Sequence, residues 1–179
     1  MTQSEIIEAP KLAVESSSLT DHAILLATSL DNTTDDTVRL VLADLLRESD
    51  DPEGQARGRF LWGGVTAATF RDEQIIEDSL YYTAQGELVA VTTAGDPARW
   101  LNSLGIGPSP LLSKDWFWDC AYDRVTIRIG DVLGIFARGM LSELSLTLGE
   151  WYAVGSKAFT SWPLERVSIT SNSRPLIFP

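Results

Sequence analysis

Three nonapeptides decide how the C-terminal part of this chain is read: YDRVTIRIG (122–130), LSELSLTLG (141–149) and LERVSITSN (164–172). Each follows one pattern, an apolar residue, two spacers, then two β-formers one residue apart, then Gly or Asn three residues on. The key pairs are Val125/Ile127, Leu144/Leu146 and Val167/Ile169. Alternate apolar residues in a short strand fall on one face, and Gly or Asn tolerates a sharp turn after it. The copies are offset by 19 and 23 residues, close to the spacing of leucine-rich repeats. Between the second and third copies, EWYAVGSKAFTSWP places Trp151, Val154, Ala158 and Phe159 near helical spacing, and Pro163 stops the run. A strand, a helix and a strand in matching register imply a parallel pair with a crossover. The first connection is short and holds Gly134 and Gly139. An ordinary small α/β or α+β sheet also produces such a pattern.

Upstream the texture is helical. DDTVRLVLADLLRESDDPEG (35–54) predicts a helix over about Asp36 to Glu48. On a helical wheel Val38, Val41, Leu42, Leu45 and Leu46 share an arc of roughly 140°. Asp44, Arg47 and Glu48 lie opposite, and Leu40 stands among them. Asp35 and Asp36 suit the positive end of the helix. A shorter helix is expected before it, capped by Thr20 or Asp21 and stopped at Asp31-Asn32. Pro52 and Gly54 break the chain, and a further helix is expected from about Gln55 to Phe70, weakened by Gly63-Gly64. RDEQIIEDSLYYTAQ (71–85) extends that helix or forms another. Glu87 to Thr93 alternates and reads as a strand; DPARWLNS (96–103) reads as a short helical turn.

The organisation expected is a tail over 1–18, a helical module over 19–84, a linker with a short strand over 85–110, and a β-α-β repeat-like module over 111–179. The expected class is α+β, with the helical module capping a small, mainly parallel, leucine-rich-repeat-like layer.

The 179 residues carry a net charge of −11. Residues 1–53 hold 12 acids and 3 bases. That asymmetry repels phosphate backbones and argues against nucleic acid; it reads first as a solubility feature, with attraction of a basic partner as the alternative. No apolar run is long enough for a membrane span. The first residues lack the basic and apolar regions of a secretory signal. With a single Cys, no intrachain disulfide or multi-cysteine zinc site is expected, and a cytoplasmic setting follows.

No catalytic set emerges. His22, the one histidine, adjoins Asp21, but sequence neighbours on a helix do not face each other. Cys120 lies among acids, which raise a thiol pKa. The acidic turns at 31–36 and 48–54 lack the spacing of a calcium loop. No spacing selects the two carboxylates a hydrolase would need. No cofactor, metal or small-molecule ligand is expected. Trp116 and Trp118 in DWFWDC (115–120) suit either core packing or an interface anchor. The candidate partner-binding residues are therefore Arg39, Leu40, Asp44, Arg47, Glu48, Trp116 and Trp118.

The segment from Asp21 to Leu61 also resembles the repeat-companion domain family of planctomycete type. Its members read approximately Asp-Asp-Thr-Pro-Arg-Leu-Val-Tyr-Ala-Asp-Trp-Leu-Glu-Glu, followed by an Arg-Ala-Glu-Phe-Ile helix. Asp36, Thr37, Arg39, Leu40, Val41, Ala43, Asp44, Leu46 and Glu48 match the first part, and Arg57, Phe60 and Leu61 the second. Val38, Leu42, Leu45 and Arg47 depart from it, and two aromatic positions become Leu. The segment from Ala137 to Thr170 resembles what commonly follows the domain in short members. The resemblance implies a companion to leucine-rich-like repeats and no enzymatic activity. The function expected is non-catalytic protein–protein interaction or assembly, through a protein partner or self-association. A structural subunit of a larger particle, phage-derived or other, and a hydrolase using paired carboxylates are the alternatives.

Overall fold

The computed structural model describes residue 28 and residues 35–75, 78–105, 116–121 and 123–170. The expected tail and first helix lie largely outside these residues. Helix α1 runs Asp36–Arg47, capped by Asp35, whose carboxylate accepts from the Thr37 amide at 3.0 Å and the Val38 amide at 3.4 Å. Helix α2 runs Pro52–Asp72, with Asp51 as its cap and Pro52 opening its first turn. Helix α3 is Ser79–Thr93, capped by Asp78, and α4 is Asp96–Ser103. Five strands follow: β1 Trp116–Ala121, β2 Arg124–Ile129, β3 Val132–Ala137, β4 Met140–Thr147 and β5 Arg166–Thr170. Helix α5, Leu148–Ser161, joins the last two and begins with a reciprocal cap between Thr147 and Glu150.

The fold is α+β, with one five-stranded sheet in the order β1-β2-β3-β4-β5. The expectation of a mainly parallel layer does not hold. β1–β2, β2–β3 and β3–β4 are antiparallel, and only β4–β5 is parallel. The reason is covalent. Gly130-Asp131 and Arg138-Gly139 join β2 to β3 and β3 to β4, and a two-residue connection can only reverse the chain. The first two copies of the sequence pattern are β2 and β4, with a whole strand between them. The crossover through α5 is the part that matches the expected parallel unit.

The strand expected at Glu87–Thr93 is the second half of α3. Tyr81, Ala84, Leu88, Val91 and Thr92 form its buried stripe, at helical spacing. The Thr92 hydroxyl donates to the Leu88 carbonyl at 2.7 Å. Packing thus overrides the β preference of Val and Thr. With α3 and α4 in place, residues 85–103 are no linker. Trp100, Leu101 and Leu104 join Phe60, Leu88, Val125, Ile127, Phe136, Leu144 and Val154 in one core. The sheet contributes alternate residues, Val125, Ile127 and Ile129 on β2, and Val132, Gly134 and Phe136 on β3. Helices α2 to α5 supply the other side of this core.

Helix α2 holds the rest together because it is narrow. A Cβ on Gly58 would stand 2.7 Å from the Ala43 carbonyl oxygen of α1. One on Gly63 would stand 2.8 Å from the Ala84 carbonyl oxygen of α3. At Gly64 a Cβ would overlap the Gly139 amide, and would lie 2.6 Å from the Arg138 carbonyl carbon. Gly63-Gly64 is therefore not a weak point of the helix but the place where two neighbours reach its backbone. The β3–β4 turn meets α2 with φ values of 49° at Arg138 and 73° at Gly139, the left-handed pair that a tight hairpin turn requires.

Gly64→Ala forces backbone against backbone and is expected to cost about 3 kcal/mol, the upper range for overpacking. Gly86→Ala, in open space within α3, is expected to stabilise by about 0.5–1 kcal/mol. Urea unfolding of both variants checks this; similar midpoints would contradict the packing described.

Candidate functional site

The tip of the β3–β4 hairpin divides the surface near α1 into two sites. On one side Gly139 and Met140 border an apolar notch. On the other Arg138 enters a polar cleft.

The cleft holds about 250 Å³ and is lined by Asp36, Arg39, Arg71, Asp123, Arg124, Arg138, Ser142 and Glu165, among others. Its charges form an alternating chain. Asp36 accepts from Arg39 at 3.2 Å and also pairs with Arg138. Arg138 continues to Asp72 at 2.5 Å, Asp72 to Arg71 at 2.7 Å, and Arg71 to Asp123. Arg124 faces Glu143 at 3.5 Å on β4. One residue on β4, Ser142, lies where the β3–β4 register shifts, as a bulge. Its carbonyl accepts from the Glu165 amide at 2.7 Å, and its hydroxyl donates to the Ile135 carbonyl at 3.2 Å. Arg39, on α1, has a side chain only 3% exposed. Burial pushes its pKa down, opposed by Asp36. A hydrogen bond from Arg71 leads the causes that hold Asp72 below the ordinary carboxylate range. The same pairing raises Arg71. With guanidinium and carboxylate matched along the chain, the cleft ties the hairpin to α1 and α2 and favours no charged ligand of either sign.

The notch has a cavity volume of about 60 Å³. Leu42 and Leu46 of α1, Arg57 and Leu61 of α2, Trp100 of α4, Gly139 and Met140 of the hairpin, and Ser161 and Trp162 after α5 line it. Phe60, Trp100, Phe136 and Trp162 pack behind it, with ring centroids 5.3–6.5 Å apart. The Arg57 guanidinium lies 5.4 Å from the Trp100 ring and 5.7 Å from the Trp162 ring, and pairs with Glu53 at 2.9 Å. Arg47 stacks similarly over Trp62 at 5.1 Å. Small-molecule pockets usually hold some hundreds of cubic ångströms. This one accommodates the tip of a single side chain. Of its lining, Trp100, Trp162 and Arg57 are residue types enriched at interaction hot spots, and the leucines are not.

The residues expected to bind a partner are dispersed by the structure. Arg39 is buried in the ion-pair chain, so it presents no free surface. Leu40 is half-buried against the cluster of Leu42, Ala43, Leu61, Val65 and Met140, whereas Val41, placed on the apolar arc, is 47% exposed. The inward face of α1 is Arg39, Leu42 and Ala43. It is set by where Ala43 meets Gly58 rather than by hydropathy alone. Asp44, Arg47 and Glu48 are exposed in the C-terminal half of α1 and do not line the notch. Trp116 and Trp118 sit on β1 opposite Ile129 and Ile127; their side chains lie outside the described residues, as do His22 and the Cys120 side chain. The notch residues Arg57, Trp100, Met140 and Trp162 had no sequence signal linking them, since they come from four separate elements.

Among the described residues, no group of His, Cys, Asp and Glu is arranged to hold a metal ion, and no helix is long and apolar enough to cross a membrane. Comparison with models of known protein families, with curated proteins and with solved structures returns no match.

Asp36→Ala is expected to cost about 2 kcal/mol, less than a fully buried pair loses, because Asp36 is 28% exposed. Asp72, 47% exposed, contributes little. Its folded pKa is depressed, so its contribution is present above the unfolded value and vanishes as pH falls through the folded one. Urea midpoints of Asp72→Asn and the parent should therefore differ slightly at neutral pH and converge as pH falls through the lowered folded pKa.

Proposed function

We propose that this chain is a non-catalytic protein–protein interaction or assembly module, a companion unit of the repeat-companion kind. The observation that carries this reading is the notch: a depression the size of one side chain, walled by Leu42, Leu46, Trp100 and Trp162 and edged by a stacked arginine. A site of that size and lining contributes to binding by desolvating one apolar anchor, with the surrounding polar residues excluding water. The paired charges of the adjoining cleft suit a clamp that fixes the hairpin tip, and with it the floor of the notch.

Crosslinking at native concentration tests the reading. Leu46→Asp places a charge on the half-buried notch wall. It should reduce recovery of a partner or of the self-associated form by about thirtyfold in Kd, the equivalent of a 2 kcal/mol hot spot. Val41→Asp, on an exposed face of the same helix, should leave recovery unchanged. Equal recovery with both variants, or no crosslinked species at all, would end the proposal.

A further inference from the structure

We infer that the occupant of the notch is the C-terminal residue of a partner chain, its apolar side chain in the depression and its terminal carboxylate on Arg57; this rests on the interaction-module reading and adds the chemistry of the partner. The basis is complementarity to the lining itself. Arg57 is the one charged residue of that lining, and no carboxylate stands in it. Its guanidinium lies 5.4 Å from the Trp100 ring and 5.7 Å from the Trp162 ring, and both of these residues also line the notch. The other polar side-chain groups of the lining are the two indole N–H groups, which only donate, and the Ser161 hydroxyl. A wall of donors and apolar carbon suits an occupant that brings an apolar group and an acceptor together. With a cation among the donors, the acceptor that fits best is an anion.

Arg57 has capacity for one. Its Nε and Nη2 both donate to the same Glu53 oxygen, at 3.2 and 2.9 Å, and among the described residues its Nη1 has no hydrogen-bond partner. A guanidinium carries five N–H donors in a fixed fork, so a second carboxylate binds beside Glu53 or displaces it. Displacement costs little, because the pair is at the surface, with side chains 38% and 59% exposed. Size and position select a chain end. With about 60 Å³ available, the notch takes the tip of one Leu, Ile or Met, and the guanidinium is in the wall around that tip. The carboxylate has therefore to lie close to the anchor in the chain, and a terminal residue carries both groups on one Cα. An acidic tract is disfavoured by charge. The chain carries −11, so further carboxylates are repelled at long range, while a single one meets Arg57 at contact.

Fluorescence anisotropy of the full chain with short peptides, labelled at the N-terminus, separates the two contacts. One peptide ends in Leu with a free carboxylate, and a second ends in Leu amide. A third ends in Ser with a free carboxylate, and a fourth is amidated and holds an internal Leu-Asp pair. The Leu acid should bind about tenfold more tightly than the Leu amide. The Ser acid and the Leu-Asp peptide should bind no better than the amide. In the protein, Arg57→Gln should erase the advantage of acid over amide. Glu53→Gln, at an exposed position, should raise that advantage about threefold by removing the competing carboxylate, with the urea midpoint close to the parent's. Equal binding of acid and amide, an advantage that survives Arg57→Gln or is unmoved by Glu53→Gln, a Ser acid or Leu-Asp peptide as tight as the Leu acid, or no binding by any peptide would each overturn the inference. The module reading stands or falls separately, on whether crosslinking responds to Leu46→Asp.

Discussion

The constraint on which the rest depends is the contact between two stretches of backbone, the Arg138-Gly139 turn and helix α2 at Phe60 to Gly64. A Cβ on Gly139 would stand 2.8 Å from the Phe60 carbonyl oxygen, and Gly64 has no more room on its side. Backbone is stiff, so an approach this close fixes position and orientation together. Once the turn is seated, Arg138 reaches Asp36 and Asp72, Met140 packs beside Leu42 and Leu61, and Phe136 meets Phe60 edge-on at 5.5 Å. The ion-pair chain and the notch are two sides of one hairpin tip. The functional reading therefore inherits its geometry from a glycine pair, of which Gly139 itself borders the notch.

This arrangement assigns different work to charge and to apolar packing. The alternating chain from Arg39 to Asp123 is largely at the surface apart from its two ends, Arg39 and Asp123. Exposed pairs contribute little to stability, while buried charges without partners cost several kcal/mol. The chain thus orients the hairpin and accommodates Arg39 more than it drives folding. The driving force is the core, where Phe60, Trp100, Phe136 and the sheet's inward aliphatic residues are withdrawn from water.

Much of the fold was legible from local chemistry. Asp35 marks a helix start, and the helix follows it; Pro52 and Gly54, read as a break before a helix from about Gln55, are instead the first turn of α2. The pairs Val125/Ile127, Leu144/Leu146 and Val167/Ile169 are in strands, and the helix before Pro163 is α5. Strand β3 was hidden because Gly134 and Gly139 resemble loop residues. Gly134 is instead a strand position pressed against Leu101, where a Cβ would come within 2.8 Å of Leu101 Cδ1. The α3 half from Glu87 was obscured because a short run of Leu, Val, Ala and Thr suits both periods. The candidate site was less legible. Arg39 shares Asp36 with Arg138, which lies 102 residues from that carboxylate in the chain, and no local pattern encodes such a distance. Asp44, Arg47 and Glu48 could be placed on an exposed face because helical spacing alone decides that.

Native-state hydrogen exchange measures the central claim most directly. If the hairpin tip is locked onto α2, the amides of Ala137 and Met140 exchange with the same free energy as Val65 in the middle of α2. That free energy equals the one obtained from global unfolding in urea. Ala137 and Met140 amides that exchange by local opening, well below the value for Val65, would contradict the account.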